Sequence, residues 1–506
     1  MGRVRQRSRS RSKRHIALFP SRVMIKARGW KRKEEPGKLA KKQENKENSR
    51  RPLTRDQECA NLHSTGIPPP FRWSLPMTFR MNRRKFVSSS LGLAAAMTVP
   101  PGILLAKEKN QKLKLGIIGV SNRGAANLAG VTGEEIVALC DIDEKLAAKA
   151  RAAHPQAKYF KDFRRLIDMK EIDAVVISTP DHVHAVQALA AMRSGKHVYC
   201  EKPLTHSVLE VREVVRTAKE KGLVTQMGTQ IHAEANYRRV VEIIQAGTLG
   251  DISRVIVWNS GKPRSLTLAK TPTAIPEGVD YNSWLGPVPH LDYDPARFHF
   301  LWRWFYQLGG GVLADLGCHY MDLPHWALNL RKPISVSGMG KKMMPGDQDA
   351  HDLMQVDYRY PARGSLPPVH LTWFHGVRGP GFDHDKPYHG FSSAILFEGS
   401  KASLIADYSR YKMLPEDKFV GFQPPPKSIP DSIGHHKEWL EAIRTKGPTT
   451  CNFEYSGALA ETVLLGNVAA RSGVKFDWND AKATTGHADA DKYLFRPYRQ
   501  GWSLYG

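Results

Sequence analysis

Leu113-Lys114-Leu115-Gly116-Ile117-Ile118-Gly119-Val120-Ser121-Asn122-Arg123-Gly124 is the stretch whose reading decides the fold. Leu113 to Val120 reads as a buried strand that breaks into a G-x-S-x-x-G turn, and Ala125 to Leu128 begins a helix of small residues. In a dinucleotide-binding turn the first glycine makes the bend, the second admits the pyrophosphate and the third packs helix on strand. Ser121 occupies the second position, where its Cβ hinders close approach and its hydroxyl can donate to a phosphate. The next strand, Ile136 to Cys140, ends in Asp141, where an acid that binds the ribose is expected. A carboxylate there accepts from the 2′-hydroxyl of NAD and repels the 2′-phosphate of NADP, so NAD is expected over NADP. The competing reading is that Asp141 caps the helix starting near Asp143.

Two further strand-to-helix units follow. Asp173 to Ser178 leads into Thr179-Pro180-Asp181-His182-Val183-His184, and His197 to Cys200 runs into Glu201-Lys202-Pro203. A helix from Val208 to Lys221 precedes a sixth strand, Leu223 to Met227. Strands alternating with helices specify a parallel, doubly wound sheet with right-handed crossovers, here a domain of residues 112–232. Lys202 is thereby presented at the carboxyl end of a strand, the mouth of the crevice, on a turn stiffened by Pro203. Taken alone it is a surface lysine.

Residues 233–500 read as a second α/β domain. An amphipathic helix, Ala233 to Ala246, stops at Gly247-Thr248-Leu249-Gly250. Ile252 to Trp258, Ile334 to Met339, Met354 to Tyr360, His370 to Phe374, Ser393 to Phe397 and Ala402 to Asp407 carry β-type patterns, which predicts a large, mainly antiparallel sheet. Helices at His435 to Arg444 and Ser456 to Arg471 are expected to cover one of its faces.

Before that sheet, Gly309-Gly310-Gly311 opens an apolar helix in which Asp315, His319, Asp322 and Trp326 share one face. A polar stripe there is costly to bury unless it is paired or lines a cavity. It reads as a proton-transfer pair, as a satisfied structural histidine, or as a metal site drawn from His319, Asp322 and His325; no spaced Cys/His cluster accompanies the last, so no metal is assigned. The aromatic run Arg297-Phe298-His299-Phe300-Leu301-Trp302-Arg303-Trp304-Phe305-Tyr306 is either a sugar-stacking surface, with Arg303 on hydroxyls or a carboxylate, or core and interface packing.

In their order and spacing these elements resemble the Gfo/Idh/MocA oxidoreductases, which include glucose-fructose oxidoreductase and inositol 2-dehydrogenase. The carriers are the glycine turn, Asp141, the segment Thr179 to His184, Glu201-Lys202-Pro203 and Asp315-Leu316-Gly317-Cys318-His319. The resemblance implies that Gly119, Ser121, Asn122, Arg123, Gly124, Asp141, Thr179, Pro180, His182, His184 and Gln230 belong to the cofactor site. It places Glu201 and Lys202 at the nicotinamide ribose, and Lys202, Asp315 and His319 on substrate. His182 and His184 also read as a helix cap and a solvent-facing side chain. The resemblance further implies that the open face of the second sheet forms dimers or tetramers.

Oxidising a secondary alcohol needs a base for the hydroxyl proton while the carbon hydride leaves, and histidine titrates in the right range. His319 is the expected base, Lys202 the group that stabilises the alkoxide, and Asp315 the residue that orients substrate or supports the imidazole. The expected activity is a sugar or polyol dehydrogenase with a retained nicotinamide cofactor. The alternatives are an NAD-dependent glycoside-cleaving enzyme working by transient oxidation and elimination, and a non-catalytic binding protein on the same fold.

The chain has 506 residues with 41% hydrophobic content, enough for two or three cores. Its net charge of +26 belongs to the leader: residues 1–110 hold 27 Lys/Arg against 7 Asp/Glu, the remainder 48 against 42. That excludes a nucleic-acid reading for the folded part. Residues 1–80 are patternless and expected to be disordered. Residues 81–106, with Arg83-Arg84 before an apolar stretch broken by Pro100 and Pro101, look like a Tat export signal, which implies handling by the Tat translocase and a periplasmic location, or a cytoplasmic one if the signal is unused. Translation is expected to start at Met81, the rival being a basic nucleic-acid-binding tail. Five cysteines show no disulfide framework.

Overall fold

The computed structural model describes residues 111–261, 264–376 and 387–505, so the basic leader and the twin-arginine segment lie outside the described residues. The first domain runs β1 (Lys114–Ile118), α1 (Arg123–Gly130), β2 (Glu135–Cys140), α2 (Glu144–Ala153), β3 (Lys158–Phe160), α3 (Phe163–Ile167), β4 (Ala174–Ile177), α4 (Asp181–Arg193), β5 (His197–Cys200), α5 (Val208–Lys221) and β6 (Thr225–Met227). Its six strands are parallel in the order β3-β2-β1-β4-β5-β6. The order reverses between β1 and β4, which opens the crevice beyond their carboxyl ends. β3 has no separate sequence signal, because three residues are too few to display a period. α5 is bounded by its local chemistry: Glu210 accepts from Ser207 N–H at 2.9 Å at the start, and Gly222 takes φ 61° at the end.

The second domain contains α6 (Ala235–Gln245), β7 (Ile252–Asn259), α7 (Tyr281–Leu285), α8 (Gly311–Tyr320), α9 (Asp322–Ala327), β8 (Ser335–Lys341), β9 (Leu353–Tyr360), β10 (Val369–His375), β11 (Ala394–Gly399), β12 (Ser403–Ala406), β13 (Tyr411–Leu414), α10 (His435–Thr445), α11 (Phe453–Ser472), β14 (Phe476–Asp477) and α12 (Ala488–Asp491). Its eight strands lie in the order β13-β12-β11-β7-β10-β9-β8-β14, antiparallel except for the pair β7 and β10. Val255, Val257, Leu371, Trp373, Ile395 and Phe397 share a core with α11. Ile256, Trp258, Phe374, Leu396 and Ile405 form a separate cluster from the opposite face. α11 is buried almost all round, as a helix packed against several elements must be.

Two expectations from the sequence need correction. α10 does not cover the second sheet; its Trp439, Leu440 and Ile443 complete the core formed by Leu115, Ile117, Leu139, Val176 and Tyr199 of the first sheet. The helix after the triple glycine is two helices, interrupted at Met321, so the four polar and aromatic residues do not form one stripe. Among the described residues no helix is long and apolar enough to cross a membrane.

Candidate active site

A cleft of about 190 Å³ opens at the carboxyl ends of β1, β2 and β4. One wall is Gly119, Ser121, Asn122, Arg123, Asp141, Thr179 and Pro180; the other comes from the second domain and includes Ser283, Trp284, His299, Phe300, Trp302 and Arg303. Gly119 takes φ 81°, and a side chain there would lie 2.8 Å from the carbonyl oxygen of Ser178. A methyl group on Gly124 would overlap the carbonyl oxygen of Gly119. Helix α1 therefore sits directly against the turn, as a pyrophosphate-binding loop requires. Asn122, with φ 49°, supplies the bend at the helix start without capping it through its side chain.

Asp141 reaches back to the turn: Oδ2 accepts from Val120 N–H at 3.0 Å and Oδ1 from Asp143 N–H at 3.2 Å. Asp143, not Asp141, caps α2, accepting from Leu146 N–H at 2.9 Å. Each Asp141 oxygen keeps a lone pair for a ribose hydroxyl. Burial raises its pKa, against the pull of those two backbone donors. His299, half-buried in the far wall, places Nε2 2.9 Å from Asp143 Oδ2. Sequence reasoning gave His299 no separate role because the aromatic run concealed it.

Glu201 points inward. Its Oε1 accepts from Arg123 Nε at 2.8 Å and from Asn127 Nδ2 at 2.9 Å. Burial pushes its carboxyl up, but Arg123 and Asn127 together outweigh that and hold it below the usual range. Asn127, which nothing in the sequence singled out, also donates to Ser178 Oγ at 2.8 Å, tying α1 to β4. His184 is fully buried: Nε2 lies 2.7 Å from the Thr179 carbonyl and Nδ1 2.9 Å from that of Pro203. It joins two loops of the crevice rather than facing solvent. His182 is likewise buried, with Nε2 2.7 Å from the carbonyl of Trp284 and Nδ1 3.3 Å from that of Leu308, and burial drives its pKa down to about 3. Neither ring lines the cleft; each is held by main-chain carbonyls of the surrounding loops. Gln230 begins the short 3-10 turn after β6, with Oε1 buried and unpartnered.

Lys202 and Asp315 are together. Lys202 Nζ donates to Asp315 Oδ1 at 2.8 Å and to its main-chain oxygen at 2.6 Å. Arg303 Nε donates to the same Oδ1 at 3.1 Å, its guanidinium 4.3 Å above the Trp302 ring and 4.5 Å above that of Phe300. Burial raises Asp315, but the two cations win and bring it to about 2. Asp181, buried at the first position of α4, goes the other way: burial lifts it to about 7 against the attraction of Arg303 and Lys202. It was visible in Thr179-Pro180-Asp181 but carried no separate signal.

His319 lies one helical turn beyond Asp315, with Nδ1 buried and unpartnered. Burial and then Lys202 press its pKa down to about 3, so the imidazole is neutral. Asp322 turns elsewhere: His232 Nδ1 lies 2.9 Å from Oδ2, Tyr455 donates to Oδ1 at 2.7 Å, and Trp326 stacks on His232 at 3.8 Å. His325 sits with Nδ1 2.7 Å from the Met321 carbonyl and 3.4 Å from Thr462 through Nε2, so His319, Asp322 and His325 do not converge on a metal. His232, Asp322 and Cys451, all buried, bring ligand-type atoms within 4.8 Å, but the hydrogen bonds of Asp322 are met by His232 and Tyr455.

Residues 113–229 match a family model described as oxidoreductase family, NAD-binding Rossmann fold, and residues 240–365 its C-terminal alpha/beta domain. The chain is 30% identical over 201 residues to inositol 2-dehydrogenase of Salmonella typhimurium, covering 37% of this chain and 58% of that protein. It is 34% identical over 181 residues to a glycosyl hydrolase family 109 protein of Saccharopolyspora erythraea, covering 32% and 39%. The chain thus spans less than two thirds of the length of either relative. The WlbA dehydrogenase from Bordetella pertussis, solved with NADH and UDP-GlcNAcA, shares the fold with TM-score 0.53 and 18% identity over 73% of this chain and 99% of that one. The two-sheet fold is that of the Gfo/Idh/MocA oxidoreductases, and residues 113–229 and 240–365 match that family's two domain models.

Proposed function

We propose that the protein is an NAD-dependent oxidoreductase that moves a hydride from a secondary alcohol of a sugar or polyol. The observation that carries this reading is the Lys202–Asp315 pair beside the mouth of a glycine-turn cleft. The residues of that cleft fit the nucleotide: the glycine packing leaves room at the turn, and Asp141 presents two anchored oxygens toward the ribose position. A bound NAD supplies the hydride acceptor. Two of the three Lys202 ammonium protons are committed to Asp315, leaving the third for a substrate oxygen as it gains negative charge. Arg303 keeps the carboxylate ionised and Lys202 aimed. His319, one helical turn from Asp315 and kept neutral by burial and Lys202, is the imidazole assigned to take the hydroxyl proton.

Retention of the nucleotide is supported by the segment 264–308. It builds its own core around Trp284, Leu285, Trp302 and Phe305, and crosses the cleft opposite the glycine turn. Retention agrees with an exported enzyme that recycles its cofactor, and the resemblance adds oligomers formed through the second sheet; the native N-terminus by mass spectrometry and the mass in solution test these two points.

The deciding experiment is to purify the protein cold, identify its bound nucleotide by mass spectrometry, and screen sugars and polyols for nicotinamide absorbance changes. Release of a nucleotide other than NAD or NADP, or no redox response to any polyol, overturns the reading. The likeness to a glycosyl hydrolase family 109 protein favours a second reading, NAD-dependent glycoside cleavage. Cleavage of a glycoside without net NADH production selects it over dehydrogenation.

A further inference from the structure

The adenosine end of the cleft is tied to the second domain by a continuous chain of contacts. His299 Nε2 lies 2.9 Å from Asp143 Oδ2, Asp143 N–H donates to Asp141 Oδ1 at 3.2 Å, and Asp141 Oδ2 accepts from Val120 N–H at 3.0 Å. Nearby, Asp280 N–H donates to the Ile142 carbonyl at 2.8 Å, and Val279 bridges to Asp143 as a short antiparallel pair. The ribose-binding carboxylate thus stands between the glycine turn and a histidine delivered from the opposite wall.

The two kinds of tether differ. The backbone contacts at residues 278–280 hold the segment to Ile142, Asp143 and Glu144. The His299 side chain belongs to the cleft wall itself and remains 28% exposed, while its partner Asp143 is 11% exposed. Asp143 Oδ1 is already used by Leu146, so Oδ2 is the oxygen available to His299. That contact can break without uncapping α2, because Leu146 N–H stays on Oδ1.

We infer that His299 and Asp143 form a latch that closes the second domain over the adenosine ribose and sets the rate at which the dinucleotide leaves. The inference rests on the NAD reading above and adds the pair of residues that enforces retention. It assigns His299 as a positioning residue for the cofactor, acting through Asp143 on Asp141.

The test uses the full chain and stopped-flow displacement of NADH. His299→Ala removes the latch from one side; Asp143→Ser removes it from the other while leaving a serine to cap α2. Each is expected to raise the NADH dissociation rate on the order of 10-fold, the value of one hydrogen bond to a charged group. The double variant is expected to dissociate no faster than either single one, because the two residues act as one contact. ADP-ribose affinity is expected to fall in parallel while that for nicotinamide mononucleotide holds, and His299→Gln is expected to recover part of the loss. Dissociation rates within twofold of the parent, or multiplying effects in the double variant, overturn the latch. If the parent protein binds neither NADH nor ADP-ribose, the cofactor reading itself fails, and the two failures are distinct.

Discussion

Lys202 holds Asp315 twice, through the side-chain Oδ1 at 2.8 Å and through the main-chain oxygen at 2.6 Å, so the ammonium is fixed against the first turns of α8 as well as against a carboxylate. Lys202→Met is expected to lower kcat on the order of 100-fold or more, with NADH binding retained. Asp315→Asn keeps the shape but leaves Lys202 and Arg303 without their shared anion, and a smaller kcat loss is expected. Steady-state turnover alongside NADH fluorescence separates the two quantities. Unchanged kcat in Lys202→Met removes it from the chemistry.

His319→Asn is expected to lower kcat on the order of 100-fold with little change in nucleotide affinity, since its ring is not in the cleft wall. The informative reading is kcat against pH. A variant whose kcat stays within about threefold of the parent across the pH range excludes His319 as the proton acceptor.

Asp141→Asn removes the negative charge that faces the ribose while keeping an acceptor for Val120 N–H. NAD affinity is expected to fall about 10-fold and NADP affinity to rise. The ratio of the two dissociation constants by isothermal titration checks this; an unchanged ratio means that Asp141 does not select the cofactor.

Gly124→Ala forces a methyl group into the carbonyl of Gly119. Because the obstacle is backbone rather than a movable side chain, a loss of about 1–3 kcal/mol is expected, with nucleotide binding abolished. Thermal unfolding and NADH titration report the two effects.

Acid should unfold the protein early. Burial lowers His182 and His319 to about 3, and His197, His325, His375 and His435 to about 4, from an ordinary value of 6.5. The unfolded chain therefore takes up protons below 6.5 that the native chain refuses, and stability falls as pH drops from there toward 4. Each group adds up to about 1.4 kcal/mol per pH unit. Asp315, held at about 2, adds a loss only below its ordinary 3.8. Circular dichroism between about pH 7 and 3 is expected to show a midpoint above pH 4; a midpoint confined to the carboxylate range contradicts it.

The first domain was legible because its signals are local. The glycine turn, Asp141 and the corner at Lys202 each follow a strand at fixed offsets, and α5 carries its own start and stop residues. The second domain was legible as a run of strands, but β13 and the two-residue β14 lack a period long enough to read. What remained hidden depends on contacts distant in sequence. His299 and Asp143 are 156 residues apart, and Gln226 Nε2 donates at 2.7 Å to the carbonyl of His435, 209 residues away. The inward turn of Asp322 toward His232 follows from a helix break at Met321, where Pro324 has no N–H to give the Tyr320 carbonyl.

The packing of α10 against the first sheet has a temporal meaning. Trp439 of α10 is fully buried in a core that, apart from its own helix, is built from residues 113–199. While the ribosome is still working through the second sheet, that side of the nucleotide domain is an uncovered hydrophobic surface. The first sheet is thus early in the chain but among the last parts to be finished, because its core stays incomplete until α10 is made.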